Sequence, residues 1–288
     1  MTTGAIADTT VDHTLILVND LEAARQTYER LGFFVTDRGV HTKSLGTANH
    51  CIILGDDYLE LLGICDPTEK NEGYRRRLDR FEGPLGFALA TGDARAAEAA
   101  FVDHGLPIGA VREYSRPIEI DGRLEEVAFR SAFIHDDPAT DPILFFCQHL
   151  TPELVWRSAW QVHPNTATGI AGLTLVADDP GAKCRHYQAM FAPGSTLDEE
   201  AGESGFMIGA CRLQVLSHER AGRDFADAGR PDAGETRLIA IDVAVADLDR
   251  ADDVLHGNDV KFDRTETAIQ VAPGSASGAY LAFLSDDI

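Results

Sequence analysis

Basic side chains are scarce in this chain: 25 lysines and arginines stand against 47 aspartates and glutamates in 288 residues, a formal charge of -22. So acidic a surface repels phosphate backbones and anionic lipid, which argues against nucleic-acid and membrane partners and favours solubility. The one basic cluster, Arg75-Arg76-Arg77, has Glu72 and Asp79 beside it in a helix-like segment and reads as a solvated face. Cysteine is sparse too. Cys51, Cys65, Cys147, Cys184 and Cys211 are odd in number and form no C-x-x-C pair, so they fit reduced, mostly buried thiols rather than a disulfide frame or a zinc knuckle. No apolar run approaches the roughly 18 residues that span a bilayer, and Met1 to Thr10 carries neither a basic n-region nor an apolar h-region; a cytoplasmic location is expected. A Gly-x-Ser-x-Gly elbow, a phosphate-binding glycine loop and a His-Glu-x-x-His helix are all missing, which leaves hydrolase, kinase and zincin chemistries without support.

What is present is ordinary in composition and repetitive in order. Hydrophobic residues make up 44% and charged residues 25%, the balance of a compact globular protein. The length allows one large domain or two of about 140 residues. A strand-to-helix pattern at Val11 to Ala24 recurs three times. The copies are Leu85–Asp93 leading into Ala94–Phe101, Ala171–Pro180 leading into Lys183–Phe191, and Leu238–Leu248 leading into Asp249–Leu255. Aspartate stands between strand and helix in each, as a helix N-cap requires. Closing strands are expected at Asp57 to Leu62, Ile143 to Cys147, Cys211 to Leu216 and Ala279 to Leu284. A period of about 70 to 85 residues is too long for a small-repeat solenoid and suits a βαβββ unit. One such unit leaves a half-open sheet, two close a cup, and four imply two cups. The segment His149 to Thr168, rich in Pro, Trp and Asn, reads as the connection between them, and His218 to Gly234 as an exposed excursion.

Within the first copy, His13 lies on the opening strand and Glu60 on the closing strand. Inward-pointing side chains at these positions meet on one concave sheet face, where imidazole and carboxylate suit a divalent ion. The other reading makes both polar sheet residues.

The run Asp12-His13, Asp20-Leu21, Leu31-Gly32-Phe33, Arg38-Gly39-Val40-His41, Gly46-Thr47-Ala48-Asn49, Leu54-Gly55-Asp56 and Tyr58-Leu59-Glu60-Leu61 resembles the glyoxalase-like branch of the vicinal oxygen chelate superfamily. The connector from Gln148 to Trp156, with His163-Pro164-Asn165, is similar as well. The resemblance covers essentially the whole chain. It implies an α+β fold of four βαβββ modules paired into two cup-shaped domains: residues 1–150 as the candidate active cup, 151–168 as connector, and 169–288 as a structural partner. It also implies a lyase, isomerase or ring-cleaving dioxygenase. A divalent Fe, Mn, Zn or Ni ion would chelate adjacent oxygens of a small oxygenated or aromatic metabolite. A small-molecule substrate and a second copy of the chain in a homodimer are the expected partners.

Carried over residue by residue, the ligand pattern is complete in the first unit alone. The place of His13 is taken by Gly86, Ala171 and Ala240, and that of Glu60 by Phe145, Gln214 and Ala282. His13 and Glu60 are the candidate catalytic and metal-holding pair. His149, on the strand parity of Phe145, is the candidate third ligand. His41, Asn49 and His50, around the Gly46–Asn49 turn, are candidate substrate contacts. Trp156 and Trp160 fit either a lid or an anchor for the connector. The rival reading is a metal-free cup that sequesters a small molecule, since Gly86, Phe145 and Ala282 suit ligand burial better than ion coordination.

Overall fold

The computed structural model describes residues 9–120, 122–135, 141–226 and 231–286. The first half runs β1 (Val11–Val18), α1 (Leu21–Arg30), β2 (Gly39–Val40), β3 (Thr47–Ile53), β4 (Tyr58–Ile64), α2 (Glu72–Leu78), β5 (Gly83–Ala90), α3 (Ala94–Asp103), β6 (Arg112–Ile120), β7 (Arg123–His135) and β8 (Ile143–His149). The second half runs β9 (Ala167–Val176), α4 (Pro180–Phe191), β10 (Asp198–Glu200), β11 (Glu203–Ile208), β12 (Cys211–Leu216), α5 (His218–Asp224), β13 (Arg237–Val245), α6 (Leu248–Gly257), β14 (Asp263–Arg264), β15 (Ala268–Val271) and β16 (Tyr280–Ser285). Each half forms an eight-stranded sheet, in the orders β2-β3-β4-β1-β5-β8-β7-β6 and β10-β11-β12-β9-β13-β16-β15-β14. The first strands of two successive modules pair antiparallel at the centre, and each is flanked by its own parallel closing strand. The expected α+β fold of paired βαβββ modules is therefore the observed one.

The same local device starts every module helix. Asp20, Asp93, Asp179 and Asp247 are extended residues whose carboxylates accept from amides of the first helical turn, satisfying donors that would otherwise lack a partner. Buried positions then follow helical spacing, as with Leu21, Ala24 and Tyr28 on α1 and Ala94, Ala97 and Phe101 on α3. These faces pack between the two sheets into a core shared by both halves. Phe33 stacks on Phe283 at 5.7 Å, Phe87 meets Phe191 edge-on at 6.3 Å, and the Tyr28 hydroxyl donates to the Ala276 carbonyl. At one junction the backbones nearly touch. A Cβ on Gly83 would lie 2.5 Å from the Gly278 carbonyl oxygen, and both glycines have positive φ.

With the module helices α1, α3, α4 and α6 on one face, the other face of each sheet is left concave, and α2 and α5 pack against part of it. Register defines equivalent positions in the two cups. Glu60 lies opposite Leu15, Phe145 opposite Ala88, Gln214 opposite Thr174, and Ala282 opposite Asp242. Two residues back on the opening strands stand His13, Gly86, Gly172 and Ala240, so the third counterpart of His13 is Gly172 rather than Ala171. Gln214 is tied to its neighbours, donating to Glu203 at 2.5 Å and accepting from Thr174 at 3.3 Å.

Two surface expectations change. Arg77 is buried, donates to the Pro84 carbonyl and stacks over Phe81, because α2 presses its last turn onto the start of β5. Of the expected excursion at 218–234, residues His218–Asp224 form a helix capped by Ser217, with Ala221 buried and Phe225 packed edge-on against Tyr280. Residues 227–230 of that stretch lie outside the described residues.

Candidate active site

The concave face of the first sheet encloses a cavity of 970 Å3, open mouth included. Alternation on β1, β3, β4, β7 and β8 turns His13, Asn49, Glu60, Phe129 and Phe145 into it, while Ile16, Ile52, Leu61 and Phe146 point into the shared core. Leu15, Val127, Phe133 and Val155 complete a mostly apolar wall.

His13 is held on every side. Tyr58 stacks on its ring at 4.3 Å and Phe145 meets it edge-on at 5.4 Å. Its Nδ1 lies 2.5 Å from Asp12 Oδ1, and its Nε2 lies 3.6 Å from Glu60 Oε2. Strict alternation would send Asp12 to the opposite face. Instead, Val11 pairs with Leu89 and His13 with Ala88, so Asp12 is an extra residue in the ladder, and this bulge lets both side chains serve one site. Burial acts to raise the Asp12 pKa, but hydrogen bonds from His13 and His149 outweigh it and bring the group down to about 2. An ionised Asp12 accepts from His13 Nδ1–H, which turns Nε2 towards Glu60 and the cavity.

Glu60 is oriented from its other side, where Oε1 accepts from Asn49 Nδ2 at 2.8 Å. His41 lines the same wall. Its Nδ1 bonds Thr47 Oγ1 at 2.8 Å, its Nε2 lies 4.0 Å from Glu60 Oε1, and burial lowers its pKa so that the ring is neutral near pH 7. His149 lies behind Asp12, with Nε2 3.2 Å from both carboxylate oxygens, while Nδ1 is buried without a partner among the described residues. His50 falls on the opposite parity. It points at α1, bonding the Thr36 carbonyl at 2.7 Å and Glu22 at 3.4 Å, and it does not line the cavity. Thus His13, Glu60, His41 and Asn49 come together, His149 joins them through Asp12, and His50 stands apart.

The donor set suits a divalent ion in type and spacing. Atoms 3.6 Å apart can both reach one ion at the roughly 2.0–2.2 Å typical of nitrogen and oxygen ligands, and a carboxylate behind the histidine is the usual outer partner. Two protein donors leave the remaining positions to substrate and solvent. Asp12, Cys147 and His149 also bring ligand atoms within 4.8 Å of one another. Burial, together with nearby Asp12 and Glu60, keeps the Cys147 thiol protonated, which makes that trio a weak metal cage.

Asp12, Tyr58 and Arg116 are site residues that the sequence reading did not single out. Asp12 was hidden by the bulge and Tyr58 by its ordinary strand composition. Arg116 comes from β6 at the far edge of the sheet, where it looks like a solvated edge arginine.

The family model of the glyoxalase-like domain matches residues 11–191, and the chain belongs to that family, within the vicinal oxygen chelate superfamily. A search of curated proteins found no match. Among solved structures, a hypothetical protein from Staphylococcus aureus aligns with a TM-score of 0.67 at 12% identity, over 96% of this chain and 99% of that one. A mutant of 4-hydroxymandelate synthase from Streptomyces coelicolor aligns with a TM-score of 0.56 at 11% identity, over 97% and 93%. A fusion of a xylose isomerase-like TIM barrel with 4-hydroxyphenylpyruvate dioxygenase gives 0.57 at 13% identity, over 98% of this chain and 49% of that one. At these identities the likeness is one of fold.

Proposed function

We propose that the chain is an enzyme acting on a small oxygenated or aromatic metabolite in the first cup, with His13 and Glu60 holding a divalent Fe, Mn, Zn or Ni ion. The observation that carries this reading is the Asp12–His13–Glu60 line, in which a buried carboxylate fixes the imidazole so that its free nitrogen faces a second carboxylate across 3.6 Å. When bound, the ion would serve as a Lewis acid that polarises adjacent substrate oxygens, as lyase, isomerase and ring-cleaving chemistries need. The protein's own groups do the rest. Asn49 holds Glu60, and Tyr58 and Phe145 clamp the His13 ring. The neutral His41, with Nδ1 engaged by Thr47, presents Nε2 as the group that takes and returns a substrate proton. His149 acts as a positioning residue through Asp12. The apolar walls exclude water from the reacting atoms.

The direct test is elemental analysis and Mn(II) titration of purified protein beside His13→Ala and Glu60→Gln. Wild type should retain about one ion per chain, and each variant should lose at least about tenfold in affinity. Retention unchanged in both variants, or no ion in any sample, would overturn the metal assignment. The apolar lining favours a second reading, a metal-free cup that sequesters its ligand. That reading requires ligand affinity insensitive to chelator and to His13→Ala.

A further inference from the structure

In a chain of net charge -22, the cavity lining among the described residues holds the cations Arg116 and Lys70 beside Glu60, with the Asp12 carboxylate set behind His13. Lys70 is exposed at the surface and its ammonium donates to Ser44 at 3.4 Å. Arg116 differs. It pairs with Val127 in the β6–β7 ladder and so shares the inward parity of Val127 and Phe129. Its Nη1 is buried and has no hydrogen-bond partner among the described residues. A guanidinium nitrogen withdrawn from water without an acceptor is unfavourable unless something supplies negative charge.

The surroundings of this nitrogen are shaped for it. A Cβ on Gly39 would stand 2.3 Å from Arg116 Nη1 and 2.5 Å from Asn49 Oδ1, so the corner exists because that residue has no side chain. Gly39 is not among the positive-φ glycines; close approach, rather than backbone conformation, is what demands glycine there. Asn49 Oδ1 is itself buried without a partner among the described residues, while its Nδ2 is committed to Glu60. An unpaired donor and an unpaired acceptor thus share one corner of a cavity whose other walls are Phe129, Phe133 and Phe145.

We infer that Arg116 anchors a carboxylate of the substrate, that Asn49 Oδ1 accepts from a hydroxyl of the same molecule, and that the substrate is therefore a small aryl or similarly apolar acid. This rests on the reading of the first cup as a small-molecule site and narrows it to a substrate class. Planar guanidinium matches carboxylate geometry, and its preference for an anion is strengthened where water is excluded.

The experiment is calorimetric binding of 3-phenylpropionate and its neutral isostere 3-phenylpropionamide, with and without EDTA, to wild type, Arg116→Gln and Gly39→Ala. Wild type should bind the acid at least about tenfold more tightly than the amide in both conditions. Arg116→Gln should abolish that preference while keeping the wild-type circular dichroism spectrum, which reports an intact fold. Gly39→Ala should lose the preference with the arginine still present. Equal binding of acid and amide by wild type, a preference that persists in Arg116→Gln, or one that disappears with EDTA would each overturn the inference. Failure of the metal assignment would leave an EDTA-resistant preference untouched, so the two failures are distinguishable.

Discussion

Asp57 offers the sharpest test of the electrostatics of this fold. It sits in the turn between β3 and β4, where Oδ2 accepts from the Ile170 amide of β9 at 2.9 Å and Oδ1 is buried without a partner among the described residues. Burial raises its pKa; the Ile170 hydrogen bond opposes this, nearby Asp12 and Asp56 add to it, and the group stands at about 7 instead of 3.8. Between these two values the folded chain binds more protons than the unfolded chain, so this contribution to stability is complete below pH 3.8 and is lost as pH rises through 7. Three units at about 1.4 kcal/mol each set a ceiling of about 4 kcal/mol, which screening at a part-buried site reduces to about 2 kcal/mol. Asp57→Asn keeps an acceptor for Ile170 and removes the charge. Urea unfolding of both proteins from pH 5.5 to 8.5 should show the variant gaining over wild type up to about pH 7, with a plateau above. A gain independent of pH, or a variant less stable than wild type at pH 8.5, would refute the reasoning.

Two further substitutions probe the frame. Phe87→Ala removes a fully buried ring that meets Phe191 across the two halves, and should cost about 3–5 kcal/mol in urea unfolding; a loss below about 1 kcal/mol would mean that the shared core closes over the gap. Asp20→Ala strips α1 of its cap and should cost about 1 kcal/mol, with Asp20→Ser recovering most of it.

The architecture was legible because it is written four times in local chemistry. Each module-opening strand is followed within three residues by an aspartate that caps the next helix, and the apolar spacing changes from strand to helix period there. Alternation puts His13 and Glu60 on one sheet face, whereas Asn49 is reached in the sequence only as part of a turn; the same rule puts His50, one residue after Asn49, on the far face. Alternation fails where the ladder is irregular. The extra residue in β1 brings Asp12 into the site, and no residue type in that segment announces it. Arg116 was out of reach for a different reason. Its role depends on the curvature that carries β6 over to Gly39 of β2, two strands at opposite ends of the sheet order. Long-range closure of this kind leaves no trace in local sequence pattern.

The segment after β8 ties elements of the site together from outside the sheet. His163 accepts from the Phe34 amide at Nδ1 and bonds the Ile53 carbonyl through Nε2, and Asn165 donates to the Leu31 carbonyl. Both residues are buried, and the strand that ends at Ile53 is the one whose Asn49 steadies Glu60. A stretch that reads as a tether is therefore a clasp, closing helix α1 and strand β3 against each other from outside. Its fastening residues, 14 and 16 positions beyond the end of β8, thus hold one wall of the cavity without lining it themselves.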